Sequence, residues 1–345
     1  MSSEIPPRNQ VGALTSFALA GGLGVEPQSP RSSFTSAYEL PETLCARYRL
    51  EGLVGAGGMG VVYRARDLLH ERFGEPEPCI AIKLLSDDFK EAPDADFLLY
   101  SEFALTRHLR HPHVIRVDAF EVDAGCGRAF IAQEFMQGKN LDALLCEHPT
   151  GLAPDELQAL AIPLLDALAH AHDRGVIHGD LKPGNFMLTA EGPRLFDFGL
   201  GQAIEGALTG LPRLSRDRFK AWTPCYAAPE LLEGGKLSTQ TDVFAMACVL
   251  YELACGKQPF GGVLSNAART ERRWHRLSAP GNLPLRFWPA IRMALALDVK
   301  NEQSPLESCM RLFAFRPPVA CSFNPYLVRQ SKARNFPTTP DDVLT

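Results

Sequence analysis

Gly55-Ala56-Gly57-Gly58-Met59-Gly60-Val61-Val62-Tyr63-Arg64-Ala65-Arg66 decides how this chain is read. Glycines at 55, 57 and 60 remove the Cβ atoms that would hold a backbone away from phosphate oxygens, so consecutive N–H groups can face an anion. A G-x-G-x-x-G run alone suits two folds. In a dinucleotide-binding unit a helix starts straight after the glycines. Here Val61 to Ala65 is β-branched and aromatic and reads as a strand, as does Tyr48 to Val54 before it. The loop therefore joins two strands, as a lid over a nucleotide would.

Further along, Ile80-Ala81-Ile82-Lys83 is an apolar strand ending in lysine, a compact positive charge suited to α- and β-phosphates. Glu102 follows in a helical stretch, Ala95 to Leu109, flanked by apolar residues. From the residues alone, Lys83 and Glu102 are either paired or separately solvated charges. His178-Gly179-Asp180-Leu181-Lys182-Pro183-Gly184-Asn185 then puts a carboxylate, an ammonium and an amide in one short loop, and Asp197-Phe198-Gly199 comes twelve residues past Asn185. That spacing suits phosphoryl transfer: one acid orients a hydroxyl, the lysine offsets charge on the moving group, and the amide with the second acid holds magnesium. Each triplet by itself is also a good turn sequence. Five ordered pieces together are not explained by turns.

These residues resemble the eukaryotic-type protein kinases, in particular the bacterial serine/threonine kinases whose glycine loops read much like Gly55 to Asp67. The likeness covers about 45–316 and extends to Ala228-Pro229-Glu230, Asp242-Val243-Phe244-Ala245, Leu250-Tyr251-Glu252-Leu253 and Gly256-Lys257-Gln258-Pro259-Phe260. It implies an α+β, two-lobed protein-kinase-like fold with a small β-rich N-lobe, 45–135, and a larger α-helical C-lobe, 136–316. It implies ATP with Mg2+, or Mn2+ in its place, as cofactors, and serine or threonine hydroxyls of protein substrates as acceptors. Lys83 would hold the α/β-phosphates and pair with Glu102. Asp180 would be the catalytic base, Lys182 the γ-phosphate partner, and Asn185 and Asp197 the metal ligands. Gly55, Ala56, Gly57, Gly58, Met59, Gly60, Val62 and Ala81 would surround the nucleotide, with backbone groups of Glu134 and Met136 on adenine.

The departures from the family pattern are specific. Gly179 replaces the usual arginine of His-Arg-Asp, Trp222 stands where glycine often precedes Thr223, and Gln133 occupies the gatekeeper place. Thr106 stands where an apolar residue usually continues the stack from the helix to Phe198. Glu302 aligns with the arginine that normally pairs with Glu230, which leaves Arg311 or Arg292 as substitutes. Small-molecule kinases with His-Gly-Asp are the enzymatic rival, opposed by Lys182 and the full segment Thr223 to Glu230. A pseudokinase scaffold is the binding rival, opposed by retention of every ionic catalytic group.

The rest of the chain bounds these readings. It has 345 residues, 46% of them hydrophobic and 22% charged, which rules out disorder throughout, and a net charge of −5, which offers no general basic field for nucleic acid. Nine cysteines without a C-x-x-C pair read as reduced thiols of a cytoplasmic protein. The apolar run Val243 to Tyr251 falls well short of the roughly 18 residues that span a bilayer, so no transmembrane segment is expected. Val11 to Val25 is apolar, but what precedes it carries Glu4 and two prolines rather than a basic n-region. Residues 1–44 read as a disordered leader and 317–345 as a flexible tail. Any signal would arrive through these tails or through a regulatory partner or phosphatase that the sequence does not name.

Overall fold

A computed structural model of the chain describes residues 40–57, 60–86, 95–204 and 222–296. Gly58 and Met59, Thr209 to Lys220, Glu302, Arg311 and nearly all of the expected leader and tail lie outside the described residues. The chain divides into two compact units. Of the described residues, the first unit takes 40–57, 60–86, 95–100 and 119–132, and the second takes 101–118, 133–204 and 222–296.

The first unit is built on an antiparallel sheet. Its strands are β1 (Thr43–Leu44), β2 (Tyr48–Ala56), β3 (Gly60–Asp67), β4 (Cys79–Leu85), β5 (Val117–Val122) and β6 (Ala129–Glu134), in the order β1-β2-β3-β4-β6-β5. The glycine run closes the β2–β3 hairpin, with Gly55 opposite Val62 and Ala56 opposite Val61. Its turn is pinned by the Gly57 N–H donating to Gly60 O at 2.8 Å. No helix follows the glycines, so the two-strand reading holds. Alternation along β2 to β4 puts one face into a core of Leu44, Tyr48, Ala65, Ile80, Ile82, Leu84, Phe130 and Ala132. Tyr48 meets Phe130 edge to face at 5.6 Å, and its hydroxyl donates to Glu121 Oε1 at 2.7 Å. Burial and that carboxylate push the Tyr48 phenol well above its ordinary value, so it remains a donor.

The fifth strand begins at Val117, after the β-branched pair Val114 and Ile115. Val114 and Ile115 are buried elsewhere: Val114 bridges Leu195, and the Ile115 N–H donates to Leu195 O at 2.9 Å. A five-residue helix, Leu68–Arg72, interrupts the β3–β4 connection, capped by Asp67 Oδ1, which accepts from the N–H groups of Leu69 and His70. One turn of helix is too short to leave a periodic signal.

The second unit is mostly helical around one core. Helix Pro154–Asp173 buries Leu157, Leu160, Ala161, Leu164, Leu165, Leu168 and Ala171, the i, i+3, i+4 stripe of an amphipathic helix. Proline at its first turn has no N–H to leave orphaned, which suits a helix start. Helix Thr239–Cys255 packs against it and is buried almost all round. A reciprocal pair of hydrogen bonds between Ser238 and Thr241 starts this helix, and Gly256 at φ 70° ends it. A Cβ on Gly256 would lie 2.1 Å from Pro149 O, so the stop demands glycine sterically as well. Short strands β7 (Gly138–Asn140), β8 (Val176–Ile177), β9 (Phe186–Thr189), β10 (Gly192–Leu195) and β11 (Gln202–Ala203) form the small sheets β10-β9-β7 and β11-β8. Among the described residues no helix is long and apolar enough to cross a membrane.

Candidate active site

In the second unit the loop after β8 carries His178 to Lys182 and passes through a 3-10 turn, Pro183–Asn185, into β9. Its geometry is set from below by Asp242, in the first turn of helix Thr239–Cys255. Asp242 Oδ2 accepts from the His178 N–H at 2.8 Å, and Oδ1 accepts from the Gly179 N–H at 2.9 Å. His172 Nε2 donates to Oδ2 at 2.9 Å. A carboxylate only 2% exposed is tolerable because it is hydrogen-bonded on both oxygens and sits at the positive end of a helix dipole.

His178 has both ring nitrogens committed. Nε2 donates to Phe196 O at 3.0 Å and Nδ1 accepts from the Asp180 N–H at 3.3 Å, which fixes a neutral tautomer. Its ring lies 4.7 Å from that of the fully buried Phe198. The histidine thus braces the loop.

Asp180 Oδ1 accepts from the Thr223 N–H at 2.7 Å and Oδ2 from Lys182 Nζ at 2.7 Å. Lys182 Nζ also donates to Thr223 Oγ1 at 3.1 Å. The hydroxyl reaches Lys182, whereas the backbone amide reaches Asp180. Asn185 is buried and its side-chain N–H donates to Asp180 O at 2.8 Å, which leaves the amide oxygen as its remaining polar atom. Asp197 adopts φ 67°, a left-handed conformation costly to a non-glycine residue and typical of positions where backbone strain serves a site. The structure therefore brings Asp180, Lys182, Asn185 and Thr223 together. An acidic residue and an amide oxygen suit a hard divalent cation.

A small concavity beside Asp180 is lined by Gly179, Trp222, Thr223, Tyr226, Ala227 and Leu231. Its wall is firm: the Tyr226 hydroxyl donates to Glu252 Oε2 at 2.5 Å and Ser265 Oγ donates to Ala227 O at 2.6 Å. Burial and Glu252 hold the Tyr226 phenol far above its ordinary value, so it stays protonated.

The other expected residues are placed as follows. In the first unit, Lys83 is buried in β4 opposite Val62, and Ala81 pairs with Arg64. An added Cβ at Gly55 would meet nothing within 4 Å among the described residues, whereas one at Gly60 would sit 2.4 Å from Leu84 O. Glu102 is buried on helix Ala95–Arg107, in the second unit. Glu134 ends β6; its carboxylate accepts from the Arg116 N–H at 2.7 Å and its own N–H donates to Arg116 O, while Met136 is half-buried. Thr106 is buried, and its hydroxyl donates to Glu102 O at 2.8 Å, so the polar group is spent within the helix and only a methyl is left for apolar neighbours. Glu230 is half-buried and has no ion pair with a described residue.

Gly179 has φ 85°, and an added Cβ would stand 2.7 Å from Leu200 O and 3.1 Å from Leu237 Cδ1. The position is thus occupied by glycine for steric reasons as well as lacking a cationic side chain. Sequence reasoning named Asp242 only as part of a family motif and passed over His172. A lone carboxylate opening an otherwise apolar helix was the available signal.

Comparison with known proteins adds the following. Residues 48–294 match the protein kinase domain family. The probable serine/threonine-protein kinase PknB of Corynebacterium glutamicum is 33% identical over 219 residues, which are 63% of this chain and 32% of that protein. The serine/threonine-protein kinase PkaA of Streptomyces coelicolor is 32% identical over 274 residues, 75% of this chain and 48% of that one. The DNA damage-responsive serine/threonine-protein kinase RqkA of Deinococcus radiodurans is 36% identical over 260 residues, 74% of this chain and 36% of its own. The chain thus spans between about a third and a half of the length of these relatives.

Proposed function

This chain belongs to the protein kinase domain family, and we propose that it transfers the γ-phosphoryl group of ATP to serine or threonine hydroxyls of protein substrates, as a cytoplasmic signalling enzyme. Family membership implies ATP and a divalent cation; the cation we assign is magnesium, with manganese as a substitute. The observation that carries the reading is the closed set Asp180, Lys182 and Thr223, with both Asp180 oxygens oriented by donors at 2.7 Å.

The chemistry follows from where the charges stand. Asp180 takes the proton of an acceptor hydroxyl in the adjoining concavity, and the amide of Thr223 holds its carboxylate in register. Lys182, hydrogen-bonded to both, carries the positive charge that meets the negative charge developing on transfer. Asn185, through its amide oxygen, and Asp197 would hold magnesium, which when bound neutralises phosphate charge. Lys83 and the backbone of Gly55, Ala56, Gly57 and Gly60, with Gly58 and Met59, would bind the phosphates, Val62 and Ala81 would cover the base, and Glu134 and Met136 would present backbone groups to adenine. Glu102 is the proposed partner of Lys83. Lys182, Asp197-Phe198-Gly199 and the full segment Thr223 to Glu230 favour an extended peptide over a sugar or aminoglycoside.

The test is a thermal-shift titration with Mg·ATP followed by an autophosphorylation assay. A stabilising shift with incorporation of phosphate on serine or threonine is expected. A shift without incorporation would make the chain a binding module, and incorporation into aminoglycosides or sugars but not proteins would make it a small-molecule kinase.

A further inference from the structure

Three histidines of the second unit, two of them just before strand β5 and the third on helix Pro154–Asp173, converge behind strand β10. His111 stacks on His170 with ring centroids 5.1 Å apart and an interplanar angle of 30°, and lies 5.6 Å from the ring of His113. Their hydrogen bonds fix the neutral tautomers. His111 Nδ1 accepts from the His113 N–H at 3.2 Å, so its proton is on Nε2, which donates to Asp166 Oδ2 at 3.1 Å. His113 Nδ1 must donate to Pro193 O, 2.9 Å away, because a carbonyl only accepts. His170 Nε2 is buried with no hydrogen-bond partner among the described residues.

His113 also grips β10 through its backbone: its carbonyl accepts from the Leu195 N–H at 2.8 Å. Two residues beyond Leu195 stands Asp197 in its left-handed conformation.

We propose that His111, His113 and His170, with Asp166, form a proton-sensing site that keeps β10, and through it Asp197, in position only while His113 and His170 are neutral. Added protons on His170 and His113 would place positive charge 5.1 Å and 5.6 Å from the His111 ring in a partly buried cluster, with Asp166, itself 58% exposed, a weak counterweight. The charged groups facing His170 are His111 and Arg174 against Asp173 and Asp166, and those facing His113 are His111 and Arg194 against Asp166. Burial first, then the neighbouring positive charges, holds both imidazoles below their ordinary value. The native state therefore binds fewer protons than the unfolded chain. Stability is fully present above the unfolded value, near pH 6.5, and is lost as pH falls through the depressed native values.

The experiment compares the full chain with His170→Phe, which keeps the ring stack and removes the buried nitrogen, and with Asp166→Asn, which keeps an acceptor for His111 and removes the charge. Thermal unfolding and turnover are followed from pH 8 to pH 5.5. In His170→Phe the acid loss of unfolding midpoint should shrink, and the acid half-point of turnover should move down by about half a pH unit or more. In Asp166→Asn both should move up. Unfolding curves parallel to wild type in both variants would overturn the site, and shifted unfolding with an unmoved acid limb of turnover would overturn its link to Asp197. The turnover arm rests on the proposed kinase activity. The unfolding arm does not, so absence of phosphate transfer at every pH would count against that activity while leaving the sensor to be judged by unfolding.

Discussion

Replacing Asp242 by asparagine should cost the protein about 3 kcal/mol of stability and most of its turnover. The carboxylate accepts from the N–H groups of His178 and Gly179 and from His172 Nε2, all within 2.9 Å. Asparagine keeps one oxygen, which can serve the Gly179 N–H. Its amide NH2 would then face the donors of His172 and His178. A histidine can answer by moving its proton to the other nitrogen and accepting from the amide. A backbone N–H has no such choice, so the fully buried His178 amide is left facing another donor. A hydrogen bond to a charged acceptor contributes about 1.5–3 kcal/mol, and an orphaned buried donor costs about 1–3 kcal/mol, of which part is the same loss counted from the other side. A net cost of about 2–4 kcal/mol follows, a large share of the roughly 5–15 kcal/mol of a typical domain. Urea unfolding of wild type and Asp242→Asn at pH 7.5, with turnover on a generic protein substrate, measures both effects. A stability change under about 1 kcal/mol with normal turnover would refute the idea that Asp242 sets the loop from below.

Other substitutions and conditions have equally definite outcomes. Gly179→Ala should lose about 2–4 kcal/mol in the same unfolding assay, because a Cβ at φ 85° collides with Leu200 O and the left-handed conformation itself costs about 1–2 kcal/mol; a change under about 0.5 kcal/mol would mean the loop has another conformation. Asp123 is held down to about 2 by the N–H groups of Cys45 and Cys126, by the Cys126 side chain and by the Gly125 N–H, so it stabilises above the ordinary carboxylate range and that contribution disappears as pH falls through about 2. Acid unfolding of Asp123→Asn should therefore be less steep than wild type between about pH 4 and pH 2, and identical slopes would count against it. Since Gly179 has no guanidinium for a phosphorylated segment, phosphatase-treated enzyme should keep most of its activity and Thr209→Ala with Ser215→Ala should change turnover by less than about threefold. A tenfold fall, restored on rephosphorylation, would assign the missing arginine's task to another cation.

What could be read from the sequence was what is local along the chain. The glycine hairpin is fixed by Val61 and Val62 following the glycines, and the Asp180 loop carries its lysine and amide within five residues, so both are visible as short strings. Partnerships across the fold left no such trace. Asp242 meets His178 and Gly179 across more than sixty residues. Val114 and Ile115 are as β-branched as strand β5 itself, and only their partner Leu195 tells them apart from it. Strands of two or three residues such as β8 and β11 are too short for alternation to register. The meeting of His111 and His113 with His170 depends on helix packing that no periodicity encodes.

The most direct measurement of the central claim is phosphate transfer from Mg·ATP to serine or threonine of a generic protein substrate by wild-type protein and by Asp180→Asn, with circular dichroism and thermal unfolding to establish that both are folded. Wild type should transfer phosphate to hydroxyl side chains, and Asp180→Asn, which keeps an acceptor for the Thr223 amide but loses the base, should be slower by at least about a hundredfold at similar stability. Turnover by Asp180→Asn within a few-fold of wild type would contradict the account, because the proton would then be leaving by a route that does not pass through Asp180.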